Sequence, residues 1–257
     1  MPRVSRGIVA VGALAVVALG MAPATAGTSS YLPMDLCTPS RANFNHPGRP
    51  NPYFPLTNNS YVLVGPDGGE THGLKIIVGG REPFYGGAIT TTVVLEHEWL
   101  DLDGNGKQQG SGELTIEDSY NYFAQANNGT VCYFGESVTN YEDGLPMSTT
   151  GSWRADGTEG CRGPNAPGIV MPADPTTGMK YQQESAPCAQ DVAQVVGNTS
   201  VTLRNGRSFS DVIRTKEGSL LETGKNEFKS YARGFGLIID DGLELCTAGS
   251  NCENANG

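Results

Sequence analysis

The feature that most constrains this chain is a two-residue alternation of apolar and polar side chains, which recurs from residue 59 onward between turns rich in Gly, Asn and Asp. A period of two is that of a β-strand, because successive side chains point to opposite faces of a sheet. The chain also contains 35 Gly in 257 residues, which suits tight turns better than long helices. We therefore predict an all-β fold.

The predicted strands cover residues 60–65, 73–79, 88–100, 113–125, 130–136, 179–186, 190–204, 209–217, 226–232 and 235–245. Consecutive strands joined by short turns form an antiparallel meander. Such a sheet buries its apolar face by curling into a barrel or half-barrel, or by folding onto a second sheet. We expect the barrel or half-barrel. Residues 141–175 are dense in Gly, Pro and Thr and are predicted to form a long cover loop.

Strands 88–100 and 113–125 each have a more apolar side and a more polar side. The apolar sides are Ile89, Val93, Leu95, His97 and Trp99 on the first strand, and Leu114, Ile116, Asp118, Tyr120 and Tyr122 on the second. The polar sides are Thr90, Thr92, Glu96 and Glu98, and Glu113, Thr115, Glu117 and Asn121. Pairing Trp99 with Leu114 keeps the two apolar sides together, and we expect those sides to face the core.

The N-terminus has the three parts of a secretory signal. Arg3 and Arg6 precede an apolar run from Gly7 to Met21, and Ala24-Thr25-Ala26 follows it. A single-pass anchor is the alternative, but the run is shorter than the roughly 20 residues that span a bilayer. We predict a cleaved signal peptide at 1–26, an extended segment at 27–50, a single β domain at 51–245 and a disordered or disulfide-closed tail at 246–257.

The chain is acidic, with a formal net charge of −10 at pH 7. Binding to nucleic acid or to anionic membranes requires clustered Lys and Arg, and no such cluster occurs. The expected partner is a small molecule or an extracellular polymer, and no membrane span is expected after signal cleavage. The expected location is secreted or extracytoplasmic.

Six cysteines follow the predicted signal, and an even number in an oxidising compartment favours disulfides. Cys246 with Cys252 is the first predicted pair, because five intervening residues can close a small loop. Cys161 with Cys188 is the second, and Cys37 with Cys132 is the remainder.

Eight segments together resemble an uncharacterised family of exported bacterial β-rich proteins. They are NPYFPL (51–56), NYFAQ (121–125), YFGE (133–136), GSWRA (151–155), PGIVMPADP (167–175), YQQE (181–184), TKE (215–217) and YARGFGLI (231–238). The resemblance implies a bacterial, extracytoplasmic, single-domain protein, and it brings no catalytic residue with it. The chain departs from the family pattern at Cys132, at Cys188 and in the longer loop 101–112.

The loop that begins at Asp101 starts like a calcium-binding loop. Asp101, Asp103 and Asn105 offer oxygens at alternate positions, and Gly106 stands at the sixth. The twelfth position is Gly112, with Glu113 one residue late, and the flanking segments are predicted strands rather than helices. A metal-free Asp/Asn/Gly turn has the same residues. Calcium bound by Asp101, Asp103, Asn105 and Glu113 is therefore one hypothesis, and no other cofactor is expected.

Two sets of residues are candidates for acid–base chemistry. His97 and Asp118 lie within reach of each other on neighbouring strands, where a carboxylate can orient a general base or simply satisfy the imidazole. Glu136 and Glu184 lead a set of strand carboxylates that includes Glu217 and Glu227. A pair about 5 to 9 Å apart would suit glycosidic cleavage. The alternative is a salt bridge from Glu217 or Glu227 to Lys229.

Aromatic and apolar residues near the long loop could line the mouth of a pocket. We name Tyr133, Trp153, Met171 and Tyr181 as candidate ligand-binding residues, with core packing as the alternative. No complete nucleophile, phosphate-loop or dinucleotide motif occurs. The sequence thus predicts a secreted, non-catalytic ligand-binding or surface protein. The alternative is a carboxylate-dependent hydrolase or lyase acting on an extracellular polymer.

Overall fold

The computed structural model describes residues 31–57, 59–107, 113–222 and 224–246. The chain forms one antiparallel sheet of 14 strands, which confirms the predicted all-β meander. Its helices are two short 3-10 turns and one helical turn, α1 (Arg41–Phe44). None of the helices in these ranges has the length and apolar character needed to span a lipid bilayer. The predicted signal peptide lies outside the described residues.

The strands in chain order are β1 (Asn59–Asp67), β2 (Glu70–Phe84), β3 (Ile89–Asp101), β4 (Glu113–Gln125), β5 (Val131–Glu142), β6 (Leu145–Ser148), β7 (Trp153–Arg154), β8 (Gly168–Met171), β9 (Lys180–Gln182), β10 (Asp191–Thr202), β11 (Ser208–Ser219), β12 (Glu227–Ala232), β13 (Gly236–Asp240) and β14 (Leu243–Cys246).

The sheet consists of two meanders, one formed by β1 to β6 and the other by β9 to β14, and the pairing of β1 with β14 joins them. Its order is β6-β5-β4-β3-β2-β1-β14-β13-β12-β11-β10-β9, so the first strand pairs with the last. In that pair Leu63 lies opposite Leu245, and both side chains are buried. The sheet does not close into a ring, because β6 and β9 stand at its two ends. This arrangement is compatible with a half-barrel.

The long connection 141–175 contains three short strands, so the prediction of a plain loop was incomplete there. Strand β6 continues the sheet, whereas β7 and β8 both pair with β5. The segment before β8 also reaches the other end of the sheet, where Ala166 bridges Ser185 just beyond β9. Residues 141–175 thereby connect the two ends of the open sheet.

The predicted strand 235–245 was wrong in one respect, because it is a hairpin of β13 and β14. Asp241 adopts a left-handed backbone conformation at the turn, with φ 48°. At the next residue, a Cβ on Gly242 would lie 2.1 Å from the carbonyl oxygen of Pro66. An Asp-Gly pair is a hairpin signal that the uninterrupted apolar pattern on either side obscured.

The predicted inward faces of β3 and β4 were also wrong over much of their length. Val94 and Glu96 on β3, and Glu117 and Asn121 on β4, line the cavity described below, whereas Tyr120 is 46% exposed. The predicted pair Trp99–Leu114 is displaced by one residue, since Leu100 lies opposite Leu114. The pairing of β3 with β4 shifts by one residue between Glu98 and Trp99. This shift accounts for part of the difference between the predicted and observed pairing, because a β-bulge reverses the inward and outward alternation beyond it.

Two disulfides support this fold. Cys37 bonds Cys132 on β5, which fastens the N-terminal segment to the sheet, and Cys161 bonds Cys188, which fastens the long connection to the segment after β9. Both of these pairs were predicted from the sequence. The remaining predicted pair joins Cys246 to Cys252, and Cys252 lies outside the described residues.

Gly168 provides a test of the contact that joins the two ends of the sheet. A Cβ at Gly168 would lie 1.9 Å from the carbonyl oxygen of Gln183. We expect Gly168→Ala to lower the free energy of unfolding by about 2 to 3 kcal/mol, because that backbone cannot move without displacing β8. The measurement is urea unfolding followed by tryptophan fluorescence.

The matched control is Gly197→Ala on β10, where nothing lies within 4 Å of the added Cβ. We expect that variant to change stability by no more than about 0.5 kcal/mol. Equal effects of the two substitutions would contradict the proposed role of the Gly168 contact.

Candidate functional site

A cavity of about 670 Å³ opens on the inner side of the sheet. Strands β2 to β5 form one wall, and β11 to β13 form the other. The rest of the lining comes from the N-terminal segment, β1, the long connection, the segment 183–191 after β9, and the loop between β11 and β12. The pairing of β1 with β14 brings the two walls into one sheet.

Part of the cavity wall is aromatic. Phe54 packs edge-on against Phe123, with ring centroids 5.0 Å apart, and its ring lies 6.1 Å from that of Tyr231. Phe123 is also 4.6 Å from Tyr133. These four residues all line the cavity, together with aliphatic side chains from β2 and β3. They give a ligand an apolar surface with several ring faces.

The rest of the wall is strongly acidic. The lining carboxyl groups are Glu96, Glu117, Glu136, Glu184, Asp191, Glu217, Glu222 and Glu227. Lys225 and Lys229 also line the cavity, but Lys225 pairs with Glu222 at 3.0 Å and Lys229 with Asp240 at 3.1 Å. The alternative of a salt bridge from Glu217 or Glu227 to Lys229 was therefore wrong, because among the described residues the ion-pair partner of Lys229 is Asp240, and Glu217 accepts hydrogen bonds from Gln183 and Thr215.

Glu136 belongs to a small network of hydrogen bonds. The hydroxyl of Tyr133 faces two acceptors, the amide oxygen of Asn121 and Glu136 Oε2, the latter at 3.0 Å. The amide nitrogen of Asn121 faces the carbonyl oxygen of Ser119. Because a tyrosine hydroxyl has one proton, Tyr133 can donate fully to only one of its two acceptors at a time. Ser119 adds a hydroxyl contact at 3.1 Å.

The neutral form of Glu136 is favoured by burial and by neighbouring charges, not by its hydrogen bonds. Burial raises the pKa of its carboxyl to about 7, against the opposing effect of the Tyr133 and Ser119 hydrogen bonds, and the charges of Glu117 and Glu96 raise it further. A carboxyl group of this pKa exchanges its proton near neutral pH.

Glu184 lies on the segment after β9 and is only 8% exposed. Its Oε1 accepts a hydrogen bond of 3.2 Å from the indole nitrogen of Trp153. Burial raises its pKa to about 8, and the charges of Glu136 and Asp191 act in the same direction. Glu136 and Glu184 are thus two interacting carboxyl groups in one cavity.

Glu96 on β3 and Glu117 on β4 differ from this pair, because no described residue forms a hydrogen bond or a close ion pair with either carboxyl group. Burial raises the pKa of both, to about 7 for Glu96, and the charge of Glu117 contributes to the shift at Glu96. Lys229 lowers both pKa values from a distance. The two glutamates are therefore open to a partner that enters the cavity.

The four candidate ligand-binding residues are divided between the cavity and the core. Tyr133 lines the cavity. Trp153, Met171 and Tyr181 are fully buried beneath the wall and do not line it. Trp153 supports the site from behind, since its ring packs edge-on against Tyr133 at 5.4 Å and its nitrogen holds Glu184.

His97 and Asp118 do meet, but away from the cavity. They lie directly opposite each other on β3 and β4, and His97 Nδ1 is 2.5 Å from Asp118 Oδ1. Tyr141 donates to the second carboxylate oxygen at 2.8 Å. Neither residue lines the cavity. The contact fits the alternative of a satisfied imidazole.

In the Asp101 loop, carboxylates accept hydrogen bonds from the backbone of the loop itself. Asp101 accepts from the N–H groups of Gly104 at 2.9 Å and Gly106 at 2.7 Å, and Asp103 accepts from Asn105 at 3.1 Å. Residues 108–112, which precede Glu113, lie outside the described residues, and calcium binding stays a prediction. Among the described residues, the side chains that converge within 4.8 Å in a group of three potential metal ligands are Asp67, His72 and Glu98.

Sequence reasoning missed Glu96, Glu117 and Asn121 as cavity residues. Their signal was present, because polar residues recur at every second position on two adjacent strands. That pattern is normally typical of a solvent-exposed face, and only the curvature of the sheet turns it inward.

No protein-family model, curated protein or solved structure shows significant similarity to this chain. The fold and the site define a class only in structural terms, namely an open antiparallel sheet of 14 strands with a carboxyl-lined cavity. Each of the eight segments that carry the family resemblance contributes at least one residue to the lining. Segments far apart in sequence thus meet at this one place.

The raised pKa values predict that stability falls as the pH rises from about 5 to about 8. In this range the unfolded chain releases the glutamate protons while the folded chain retains them, so a higher pH favours unfolding. The shift at Glu136 alone corresponds to about 3 kcal/mol. We expect the melting temperature to be lower at pH 8 than at pH 5.

Glu136→Gln should flatten this pH dependence, because a glutamine side chain does not titrate. Glu142→Gln, at the exposed end of β5 and outside the cavity, is the control and should leave the slope unchanged. The pKa of His72 is also raised, mainly by its hydrogen bond to Glu98. It therefore adds to the loss of stability with rising pH, and it does so equally in both variants. An unchanged slope in Glu136→Gln would show that Glu136 is ionised in the folded protein.

Proposed function

We propose that this protein is a secreted binding protein that holds a small organic molecule in the cavity between the two meanders. The observation that carries the proposal is the cavity itself, since about 670 Å³ lies within the usual range of small-molecule sites. An aromatic wall can bury the apolar part of a ligand, and the buried polar groups can fix its orientation.

The state of the polar groups supports binding rather than a purely structural role. A core stabilised for its own sake would pair its carboxyl groups or replace them with apolar residues, because an unpaired buried carboxyl group costs free energy. Glu96 and Glu117 have no such partner among the described residues. A ligand that interacts with them would offset this cost when it binds.

The two disulfides support an extracytoplasmic location, because such bonds persist in oxidising compartments. The predicted signal peptide, 1–26, supports secretion independently of the fold. Binding a ligand outside the cytoplasm is therefore the role that best combines the compartment with the cavity.

Blocking the cavity should abolish binding without affecting the outside of the sheet. Val94 faces the cavity and its neighbour Leu95 does not line it, so Val94→Phe and Leu95→Phe place the same ring on opposite sides of β3. With the neutral fluorescent probe N-phenyl-1-naphthylamine, we expect Val94→Phe to weaken binding about tenfold or more, equivalent to about 1.4 kcal/mol.

Leu95→Phe should bind the probe as the wild-type protein does. Native mass spectrometry of the purified wild-type protein should also show a retained small molecule that Val94→Phe lacks. Equal probe binding by both variants would place binding elsewhere on the protein.

A second candidate is acid–base catalysis by Glu136 and Glu184 on an extracellular polymer. The presence of two interacting carboxyl groups in one cavity, with pKa values raised by burial, favours it, because a glutamic acid that is neutral near pH 7 can protonate a leaving group. In this candidate one carboxyl group acts as general acid while its ionised partner acts as base or nucleophile.

The test is the release of reducing ends from a panel of bacterial and plant polysaccharides. If Glu136 is the acid, Glu136→Gln should lower the rate by about 10² to 10⁴-fold, with Glu70→Gln as the unaffected control. Two outcomes would count against catalysis by Glu136: the wild-type protein does not hydrolyse any of the polysaccharides, or Glu136→Gln hydrolyses them as fast as the wild-type protein does. Neither outcome would affect the binding proposal.

A further inference from the structure

We propose that the ligand of this cavity is an organic cation, with an ammonium or related group held between the acidic wall and the aromatic rings. This inference rests on the proposed binding function and adds the chemical class of the ligand. It derives from which charges face the cavity, which of them are already paired, and what the remaining wall consists of.

The charges that face the cavity are almost all negative. Eight carboxyl groups line it, against two lysines and no arginine among the described residues. Each lysine already has an acidic partner, Glu222 for Lys225 and Asp240 for Lys229. The carboxyl groups of the lining therefore outnumber its ammonium groups by eight to two, and this excess of negative charge disfavours an anionic ligand.

Glu96 and Glu117 supply the most direct place for a positive charge. In the pairing of β3 with β4, Glu96 lies opposite Ser119, and Glu117 is two residues before Ser119 on β4. Glu96 and Glu117 are therefore diagonal neighbours on the same face of adjacent strands. Neither forms a hydrogen bond or a close ion pair with a described residue. A cation between them would relieve their mutual repulsion and neutralise negative charge that no described residue pairs with at close range.

The aromatic part of the wall suits the same ligand. Phe54, Phe123 and Tyr231 present rings around one side of the cavity, with centroid separations of 5.0 and 6.1 Å between Phe54 and the other two. Ring faces attract ammonium and guanidinium groups, particularly where water is excluded. They can equally pack against the apolar body of the ligand.

A metal ion fits this wall less well than an organic cation. No three carboxyl groups among the described lining residues converge within 4.8 Å of one another, as a compact ion would require. The carboxyl groups are instead distributed over both meanders, facing a cavity of about 670 Å³. An extended molecule can reach several of them at once, whereas a single metal ion cannot.

The test compares three probes that share a benzyl group and differ in charge, namely benzyltrimethylammonium, benzyl alcohol and phenylacetate. Isothermal titration calorimetry of the full-length oxidised protein at pH 7.5 and low salt gives their dissociation constants. We expect the cation to bind at least tenfold more tightly than the alcohol and the alcohol more tightly than the anion. Binding of the cation should weaken as salt rises.

Two variants assign the effect to the acidic wall. Glu96→Gln and Glu117→Gln keep the shape of each side chain and remove its charge, and each should weaken benzyltrimethylammonium binding about tenfold while leaving benzyl alcohol unchanged. Glu70→Gln removes an equally negative charge from an exposed turn and should leave all three constants unchanged. The comparison of probes on the wild-type protein needs no variant to fold.

Several outcomes would overturn the inference. They are equal affinity for the three probes, tightest binding of phenylacetate, no binding of the cation, and equal losses for cation and alcohol in the glutamine variants. Each is distinguishable from failure of the binding function. If the neutral naphthylamine probe still binds the wild-type protein and not Val94→Phe, the cavity is a binding site and only the cationic ligand class is wrong.

Discussion

The antiparallel pairing of β1 with β14 is the contact on which the rest of this structure depends. It fixes Leu63 against Leu245 in the core and joins two meanders that are far apart in the chain. Without it, β2 to β5 and β11 to β13 would be separate curved sheets, each with an open inner face. With it, the two inner faces look toward each other and enclose one cavity.

Placing carboxyl groups in this cavity costs free energy of folding, and contacts around the cavity offset part of that cost. Glu136 and Glu184 remain buried because each receives specific hydrogen bonds, from Tyr133 and Ser119 to the first and from Trp153 to the second. Their pKa values are raised in spite of those bonds, so burial is the stronger effect. The disulfide between Cys161 and Cys188 holds the long connection against this side of the protein, and Cys188 itself lines the cavity.

Ligand binding, acid–base catalysis and cation selectivity all use this one site, but they use different parts of it. The aromatic wall is sufficient for binding, Glu136 and Glu184 would carry the proton chemistry, and Glu96 with Glu117 would select the charge. Because the charges of Glu96 and Glu117 also raise the pKa of Glu136, substitutions in the two pairs are coupled, and a double-mutant cycle is needed to separate their effects. His97 and Asp118, which have the residue types of a catalytic pair, lie outside the site because they occupy positions of β3 and β4 that do not line the cavity.

The sequence by itself determined the all-β class and the positions of most of the long strands, because alternation and turn residues act locally. It also indicated Tyr133 as a candidate site residue through its nearness to the long loop, and Glu136 and Glu184 as carboxylates in strands or at strand ends. It could not determine which side of β3 and β4 faces inward, since local alternation is the same for a solvated face and a polar cavity. That choice depended on sheet curvature, on the bulges near Trp99 and Phe123, and on the β1–β14 pairing. Glu96 and Glu117 became site residues through the tertiary structure alone, because only there does the opposite meander cover their side of the sheet.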